Sequence, residues 1–323
     1  MNINGHYATD TDLFMTPKIT EYNGSHPVMT NVIQPTLTKY IHLNTRYATT
    51  NALTNSNTPV PNNIKYSFVL PERIKNISSM TVEAVEFPMS FYNISSYLGN
   101  NTLVFGNGTS KVSVVIPDGY YKTDSTLIGA INTAIGATVL GTTIQFSFLS
   151  TNTNKTVITS KTGITYTTLY TSVDSSGNTD KYALKTKLAW RLGFRNGGTY
   201  TLSALNDGTI QADGYCFLLF PKNLFLLMDE MNGKGNQNSF LSLTDRSVLN
   251  RNILSRMSVD TQIYPFGTLC VKHRANGLIS DIRKYNGTST HLQRFEVRMV
   301  DDMGTDVNFN GMDFTFVLKV EYE

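Results

Sequence analysis

The acidic residues near the end of the chain are the first candidates for chemistry. Asp301, Asp302 and Asp306 lie within six residues, and Asp313 follows in the stretch MVDDMGTDVNFNGMDFTF. An EF-hand binds Ca²⁺ with ligands at alternate loop positions, a central glycine and a glutamate at the twelfth position. Gly304 stands inside the acidic stretch, but no glutamate closes it at that spacing. We therefore expect a turn between the last two strands, with a cation site as the alternative.

Histidines and cysteines offer no stronger pattern. The five histidines are scattered along the chain: His6, His26, His42, His273 and His291. None has another His or Cys at metal-ligand spacing, and the motifs GxSxG, HExxH and GxxxxGK[ST] do not occur. Cys216 and Cys270 lie in separate apolar runs, so we expect two buried, reduced thiols. The sequence predicts no catalytic residue, no metal site and no cofactor, and hence a protein that is not an enzyme.

Aromatic residues could instead bind a ligand by stacking. Tyr120 and Tyr121 follow Asp-Gly and, with Tyr200, could present rings to a base or a sugar. Trp190 is the only tryptophan and, with Phe194 and Leu188, could line a pocket, although we expect these residues to pack in the core. A carbohydrate-binding or receptor-binding β module is therefore one alternative function.

The elements that would position these residues are predicted to be strands. Only 16% of the 323 residues are charged, below the average of about 25%. The chain contains 17 Tyr and 17 Phe, which favour strands, and many Asn and Gly, which favour turns. A net charge of +3 without a clustered basic stripe does not indicate specific nucleic-acid binding. No apolar run approaches the roughly 18 residues of a membrane-spanning helix.

Alternation of apolar and polar residues predicts about a dozen short strands and one clear helix. The helix is predicted over 123–137, capped by Thr123 or Asp124, with its apolar face on one side. The apolar run from Tyr215 to Met228 is broken by Pro221 and predicts two strands or one bulged strand. Short strands separated by turn signals indicate an all-β sandwich or barrel.

The chain is predicted to have an arm and a folded region. Residues 1–37 lack periodicity but carry many large apolar side chains, so we expect an extended N-terminal arm that becomes ordered on a partner surface. Residues 38–323 are predicted to form the folded domain, with an insertion at about 150–215.

Several stretches together resemble one family of viral proteins. IHLNTRY and YSFVLPERIKNISSMTVEAVEFPMSFYNIS are followed, in order, by five further stretches: VVIPDGYYKTDSTLIGAIN, KLAWRLGFRNGGTY, FLLFPKNLFLLMDEMNG, NRNILSRMSVD and FEVRMVDDMGTDVNFNGMDFTFVLKVEY. This ordered set resembles capsid structural proteins of the large nucleocytoplasmic double-stranded DNA viruses. The resemblance covers most of 38–323 and is least in the arm.

The resemblance implies a single jelly roll in the virion, made in the host cytoplasm. It implies a penton-like subunit that forms a pentamer at the icosahedral vertex, or a minor capsid protein that cements major capsid trimers from inside the shell. The implied partners are the major capsid protein, minor capsid proteins and further copies of this chain, with no specific nucleic acid. Contact with a membrane is left open. The family implies no catalytic residues.

Overall fold

The structure is a computed structural model that describes most of the chain from residue 36 onwards. The described ranges are 36–51, 64–106, 110–149, 151, 154–161, 167–173, 176–178, 181–203, 208–219, 221–230, 242–243, 248–249, 252–285 and 290–323. Nearly all of the predicted arm lies outside the described residues.

Strands make up most of the regular structure, as the composition predicts. Their bounds are β1 Leu37–Asn44, β2 Thr50–Asn51, β3 Tyr66–Ile74, β4 Ile77–Pro88, β5 Thr102–Gly106, β6 Lys111–Val115, β7 Ile144–Phe148, β8 Thr156–Ser160, β9 Thr167–Tyr170, β10 Thr199–Leu202, β11 Thr209–Gln211, β12 Asn223–Asp229, β13 Ser242–Leu243, β14 Val248–Leu249, β15 Ile253–Ser258, β16 Leu269–His273, β17 Leu278–Ser280, β18 Ile282–Lys284, β19 Leu292–Val300 and β20 Thr315–Tyr322. The α-helices are α1 Asp124–Gly136 and α2 Leu188–Arg191, and 3₁₀ turns cover Thr45–Tyr47 and Lys181–Thr186.

Two antiparallel sheets form a jelly roll. One sheet has the order β1-β20-β4-β16, with β18 also paired to β4, and the other has the order β17-β15-β12-β19-β3-β2. Counting only the eight main strands along the chain, these orders are 1-8-3-6 and 5-4-7-2. Sequential strands are thus divided between two facing sheets, as in the jelly-roll class of eight-stranded sandwiches. The all-β, single jelly-roll prediction is confirmed.

A single apolar core lies between these sheets, because one face of each main strand is buried. On β20, Phe316, Leu318 and Val320 are buried while the alternating residues are more exposed. Phe68 of β3 stacks on Phe295 of β19, with ring centroids 5.5 Å apart, and meets Phe316 edge-on from the facing sheet at 6.2 Å. Pairs of this kind fix the distance between the sheets and the register of each strand.

The chain between β4 and β12, the third and fourth main strands, forms a second apolar core, and we call this region, about 92–220, the second unit. The core runs from Ile94 to Leu218 and is enclosed by a sheet of order β10-β9-β5-β6, a sheet of order β11-β8-β7, and both α-helices. Helix α1 begins at a capping box in which Thr123 and Thr126 exchange hydrogen bonds. Its buried residues are those of the predicted apolar face: Leu127, Ile128, Ile131 and Ile135.

The division into an arm, a jelly-roll domain and an insertion stays a prediction. An insertion defined by the second core would begin near residue 92 and end near 220, and would therefore be larger than the 150–215 expected from the sequence. In the apolar run from Tyr215 to Met228, the regular strand is Asn223–Asp229, and residues 215–219 belong to no named strand. None of the helices in the described residues has the length and hydropathy needed to cross a bilayer.

Candidate interaction surfaces

The acidic loop after β19 is a turn, as predicted from its Asp and Gly residues. The Asp301 side chain is buried, and its Oδ1 accepts hydrogen bonds from the backbone N–H of Met303 at 2.8 Å and of Thr305 at 2.9 Å. Gly304 has a φ of +78°, the left-handed conformation that favours glycine. Burial raises the pKa of Asp301 to about 6, although the two N–H donors oppose that rise.

The other three carboxylates each bind a different part of the chain. Asp302 Oδ2 accepts the backbone N–H groups of Lys222 and Asn223, which lie about 80 residues earlier. The buried Asp306 accepts the N–H of Ile64 at 3.1 Å. Asp313 accepts hydrogen bonds from the Thr45 hydroxyl at 3.3 Å and from Arg46 Nε at 3.1 Å. These carboxylates thus connect three loops at one end of the jelly roll. Within the described ranges, no three His, Cys, Asp or Glu side chains are grouped as metal ligands.

Asp301→Asn should change how stability depends on pH. The pKa of Asp301 is higher in the folded protein, about 6, than its ordinary value of 3.8. The folded state therefore binds the proton more tightly, so this group favours folding below pH 4 and loses that contribution as the pH rises through 6. The loss is on the order of 2–3 kcal/mol. Asparagine can accept both N–H groups through its Oδ1 without carrying a charge.

Chemical unfolding of both proteins from pH 4 to pH 7 measures this effect. The difference in unfolding free energy should move in favour of Asp301→Asn by about 2 kcal/mol over that range. Parallel curves for the two proteins would show that Asp301 does not titrate in this window. Glu72→Gln, at an exposed position on β3, is the control and should leave the curve close to that of the unmodified chain.

The tyrosines considered for stacking are engaged within the protein. Tyr120 stacks on Phe266 with ring centroids 4.8 Å apart, and Tyr92 lies on Phe266 at 6.2 Å. The hydroxyl of Tyr121 donates to the Pro117 carbonyl at 2.8 Å. The hydroxyl of Tyr200 donates to Asp213. The three-ring stack joins the second unit to the loop before β16, which is a structural role.

The cysteines are buried and free, as expected, and their sulfurs lie in separate cores. Burial raises the pKa of Cys216 to about 12 and that of Cys270 to about 11, so both are thiols at neutral pH. A thiol with so high a pKa is a poor nucleophile.

The tryptophan lies at the wall of a cavity. Core packing is confirmed for Phe194, which is fully buried, but the same prediction is wrong for Trp190, which is half-buried. A cavity of about 340 Å³ lies between the second unit and the jelly roll, lined by Lys185, Trp190, Arg191, Arg195, Phe217, Leu219, Lys222, Asp302 and Met303. Sequence reasoning raised Trp190 as a pocket residue but preferred core packing, and it did not indicate the rest of the wall, which combines segments more than 100 residues apart.

Exposed apolar side chains occur on both lateral edges of the jelly roll. One edge is formed by β1 and by β2–β3, and it carries Leu37, Tyr40 and Val69, which are 55%, 64% and 45% exposed. The opposite edge carries further side chains that are at least half exposed: Leu269 of β16, Ile279 of β17 and Ile282 of β18. Exposed apolar side chains on these edges would be buried if another protein packed there.

Comparison with known proteins finds similarity in structure only. No family model matches the sequence, and no curated protein matches it. The mavirus penton protein is similar in structure, with 12% identity and a TM-score of 0.41, over 88% of this chain and 100% of that chain. A chain in the cryo-EM structure of the Sputnik virophage also has 12% identity and a TM-score of 0.41, over 90% of this chain and 98% of that chain. The jelly-roll assignment above rests on the strand order of this chain itself.

Proposed function

We propose that this protein is a virion structural subunit, a penton-like component that forms a ring of five copies at the capsid vertex. The observation that supports it most is the strand order, 1-8-3-6 facing 5-4-7-2, in one sandwich only. Jelly rolls are common in viral capsids, since two packed sheets are rigid while the loops at either end can vary to meet neighbours. On this proposal the protein has no catalytic activity and binds the major capsid protein and minor capsid proteins.

The two lateral edges support a ring in particular. A cyclic ring uses one heterologous interface repeatedly, in which one surface of each copy meets a different surface of the next. The sandwich has two such surfaces on opposite sides, the β1/β3 edge and the β16/β17/β18 edge. Both present exposed apolar side chains, represented by Tyr40 on the first and by Ile279 and Ile282 on the second. Burial of these side chains against the next copy would remove apolar area from water and favour closure.

Mass measurement of the purified protein, with edge variants, tests the ring. We expect a species of about 180 kDa by native mass spectrometry, five times the 36.0 kDa chain. Ile279→Glu/Ile282→Glu should dissociate it to monomers, because an unpaired carboxylate buried in an apolar contact costs several kcal/mol. Val139→Glu, at a 77% exposed position beyond α1 in the second unit, is the matched control and should keep the ring.

Two outcomes would count against the ring. One is a monomer at every concentration, and the other is a ring that survives both Glu substitutions. Circular dichroism of each variant separates loss of assembly from loss of fold.

A minor capsid role is the second candidate, because the same exposed edges could contact major capsid trimers from inside the shell. The two roles differ in copy number, which quantitative mass spectrometry of virions measures. A ring confined to the vertices gives five copies per vertex. The copy number of a cementing protein instead increases with the number of major capsid trimers in the facets. A glycan array tests the carbohydrate-binding alternative, for which the engaged rings of Tyr120, Tyr121 and Tyr200 give little support.

A further inference from the structure

The cavity of about 340 Å³ beside Trp190 has a large apolar wall, which is supplied by Trp190, Phe217, Leu219 and Met303. Phe217 and Leu219 are 39% and 48% exposed, whereas the residues that alternate with them along the chain are buried in the second core. The volume falls within the roughly 300–1,000 Å³ of ligand pockets, which have mostly apolar walls and a few placed polar groups. The cavity therefore has the size and the surface of a site for a small organic molecule.

The charged side chains of the cavity are mainly cationic. One carboxylate, that of Asp302, lines it together with four cations: Lys185, Arg191, Arg195 and Lys222. Both oxygens of Asp302 already accept hydrogen bonds, Oδ2 from two backbone N–H groups and Oδ1 from the Asn223 amide. A cleft lined mostly by one sign of charge attracts ligands of the opposite sign, so the cavity favours an anion.

Two of these cations lie over the aromatic rings of the wall. The Arg195 guanidinium is 4.4 Å from the centre of the Trp190 ring, and Lys222 Nζ is 4.8 Å from the centre of the Phe217 ring. A ring attracts a cation through its electrostatic field and accepts none of its N–H groups in a conventional hydrogen bond, so both cations can still donate to an anion. The cationic donors and the apolar surface thus lie side by side.

Arg191 places a further cation deeper in the wall. Its side chain is buried, and this burial lowers its pKa to about 10, because leaving water disfavours the charged form. The negative charge of the nearby Asp301 opposes that shift. An anion in the cavity would act on Arg191 in the same direction as Asp301 does.

We propose that this cavity binds a small organic molecule that has an apolar body and ends in a carboxylate. The body contacts the rings of Trp190 and Phe217 and removes their apolar area from water. Arg195 and Lys222 bind the carboxylate, since a guanidinium can donate two parallel N–H groups to its two oxygens. The site lies within one subunit, so this inference does not rest on the proposed ring.

Fluorescence titration of the full chain tests the proposal, because Trp190 is its only tryptophan and reports on this cavity alone. Decanoate should cause a saturable blue shift of the emission as water leaves the ring. Decanol has the same apolar body without the charge and should bind about tenfold more weakly. Inorganic phosphate, an anion without an apolar body, should cause no saturable shift at the same concentrations.

Charge variants establish whether the two cations bind the carboxylate. Arg195→Gln/Lys222→Gln should weaken decanoate binding about tenfold and leave decanol binding unchanged, since only the charged contacts are removed. Isothermal titration calorimetry measures both affinities, because Arg195 itself lies over the fluorescent ring. Lys75→Gln is the matched control and should change neither affinity. Lys75 is an exposed cation near the Leu292 end of β19, whereas Asp302 follows the other end of that strand.

Four results would overturn the proposal. They are no saturable shift with decanoate, equal affinities for decanoate and decanol, a phosphate response equal to that of decanoate, and full decanoate affinity in the Arg195→Gln/Lys222→Gln variant. Circular dichroism shows whether that variant is folded, and the comparison of the three ligands on the unmodified chain decides the matter if it is not. None of these results bears on the mass of the assembled ring, so the cavity and the ring are tested separately.

Discussion

Arg283→Met is expected to lower the free energy of unfolding by about 3–5 kcal/mol, because it removes one partner of a buried ion pair. Arg283 belongs to β18, in the same sheet as β4, and Glu230 directly follows β12 in the facing sheet. Their side chains are only 3% and 6% exposed. Arg283 Nη1 donates to Glu230 Oε1 and, at 3.1 Å, to the carbonyl of Met228. The pair therefore joins the two sheets of the jelly roll.

Without Arg283 the Glu230 carboxylate would remain buried with Tyr285 as its hydrogen-bond donor, at 2.5 Å. Burial and the neighbouring carboxylate already raise the pKa of Tyr285, so this phenol stays protonated and cannot replace the cation. Urea unfolding at pH 7 measures the loss.

The double variant Arg283→Met/Glu230→Met is the matched control. It should recover most of the stability, because an apolar pair of similar volume leaves no uncompensated charge. A loss below about 1 kcal/mol for Arg283→Met alone would contradict a buried inter-sheet ion pair.

Phe316→Ala should also cost about 3–5 kcal/mol of unfolding free energy. Phe316 is 1% exposed, and its ring contacts Phe314 on the adjoining segment and Phe68 on the facing sheet, each with centroids 6.2 Å apart. Truncation leaves a cavity in the centre of the sandwich in addition to the lost burial. Guanidinium unfolding followed by fluorescence measures the change.

The adjacent position provides the control for this variant. Val317 lies on the outward face of β20 and is partly exposed, so Val317→Ala should cost about 1 kcal/mol or less. Equal losses at the two positions would contradict the predicted orientation of β20, in which alternate residues face the core.

Much of the fold could be predicted from local pattern. The alternation in β20 and the apolar face of α1 are properties of a few neighbouring residues, and the structure confirms both. The second core between Ile94 and Leu218 was not predicted at its full extent, because strands around both cores show the same period of two. Which strands belong to which core depends on contacts between residues far apart in the sequence.

The long-range hydrogen bonds of the acidic loop could not be predicted from the sequence either. Asp and Gly predicted the turn at Asp301, and the turn is present. No sequence signal indicated that Asp302 would bind the N–H groups of Lys222 and Asn223, or that Asp306 would bind Ile64. The partners of these carboxylates lie about 80 and 242 residues away along the chain, beyond the reach of any local pattern.

The position of this protein in a cryo-EM map of the virion tests the central claim most directly. The account predicts that five copies of the jelly roll surround each five-fold axis, with the β1/β3 edge of one copy against the β16/β17/β18 edge of the next. Density for the chain beneath the facets, away from the five-fold axes, or no density for it in the shell, would contradict a vertex subunit.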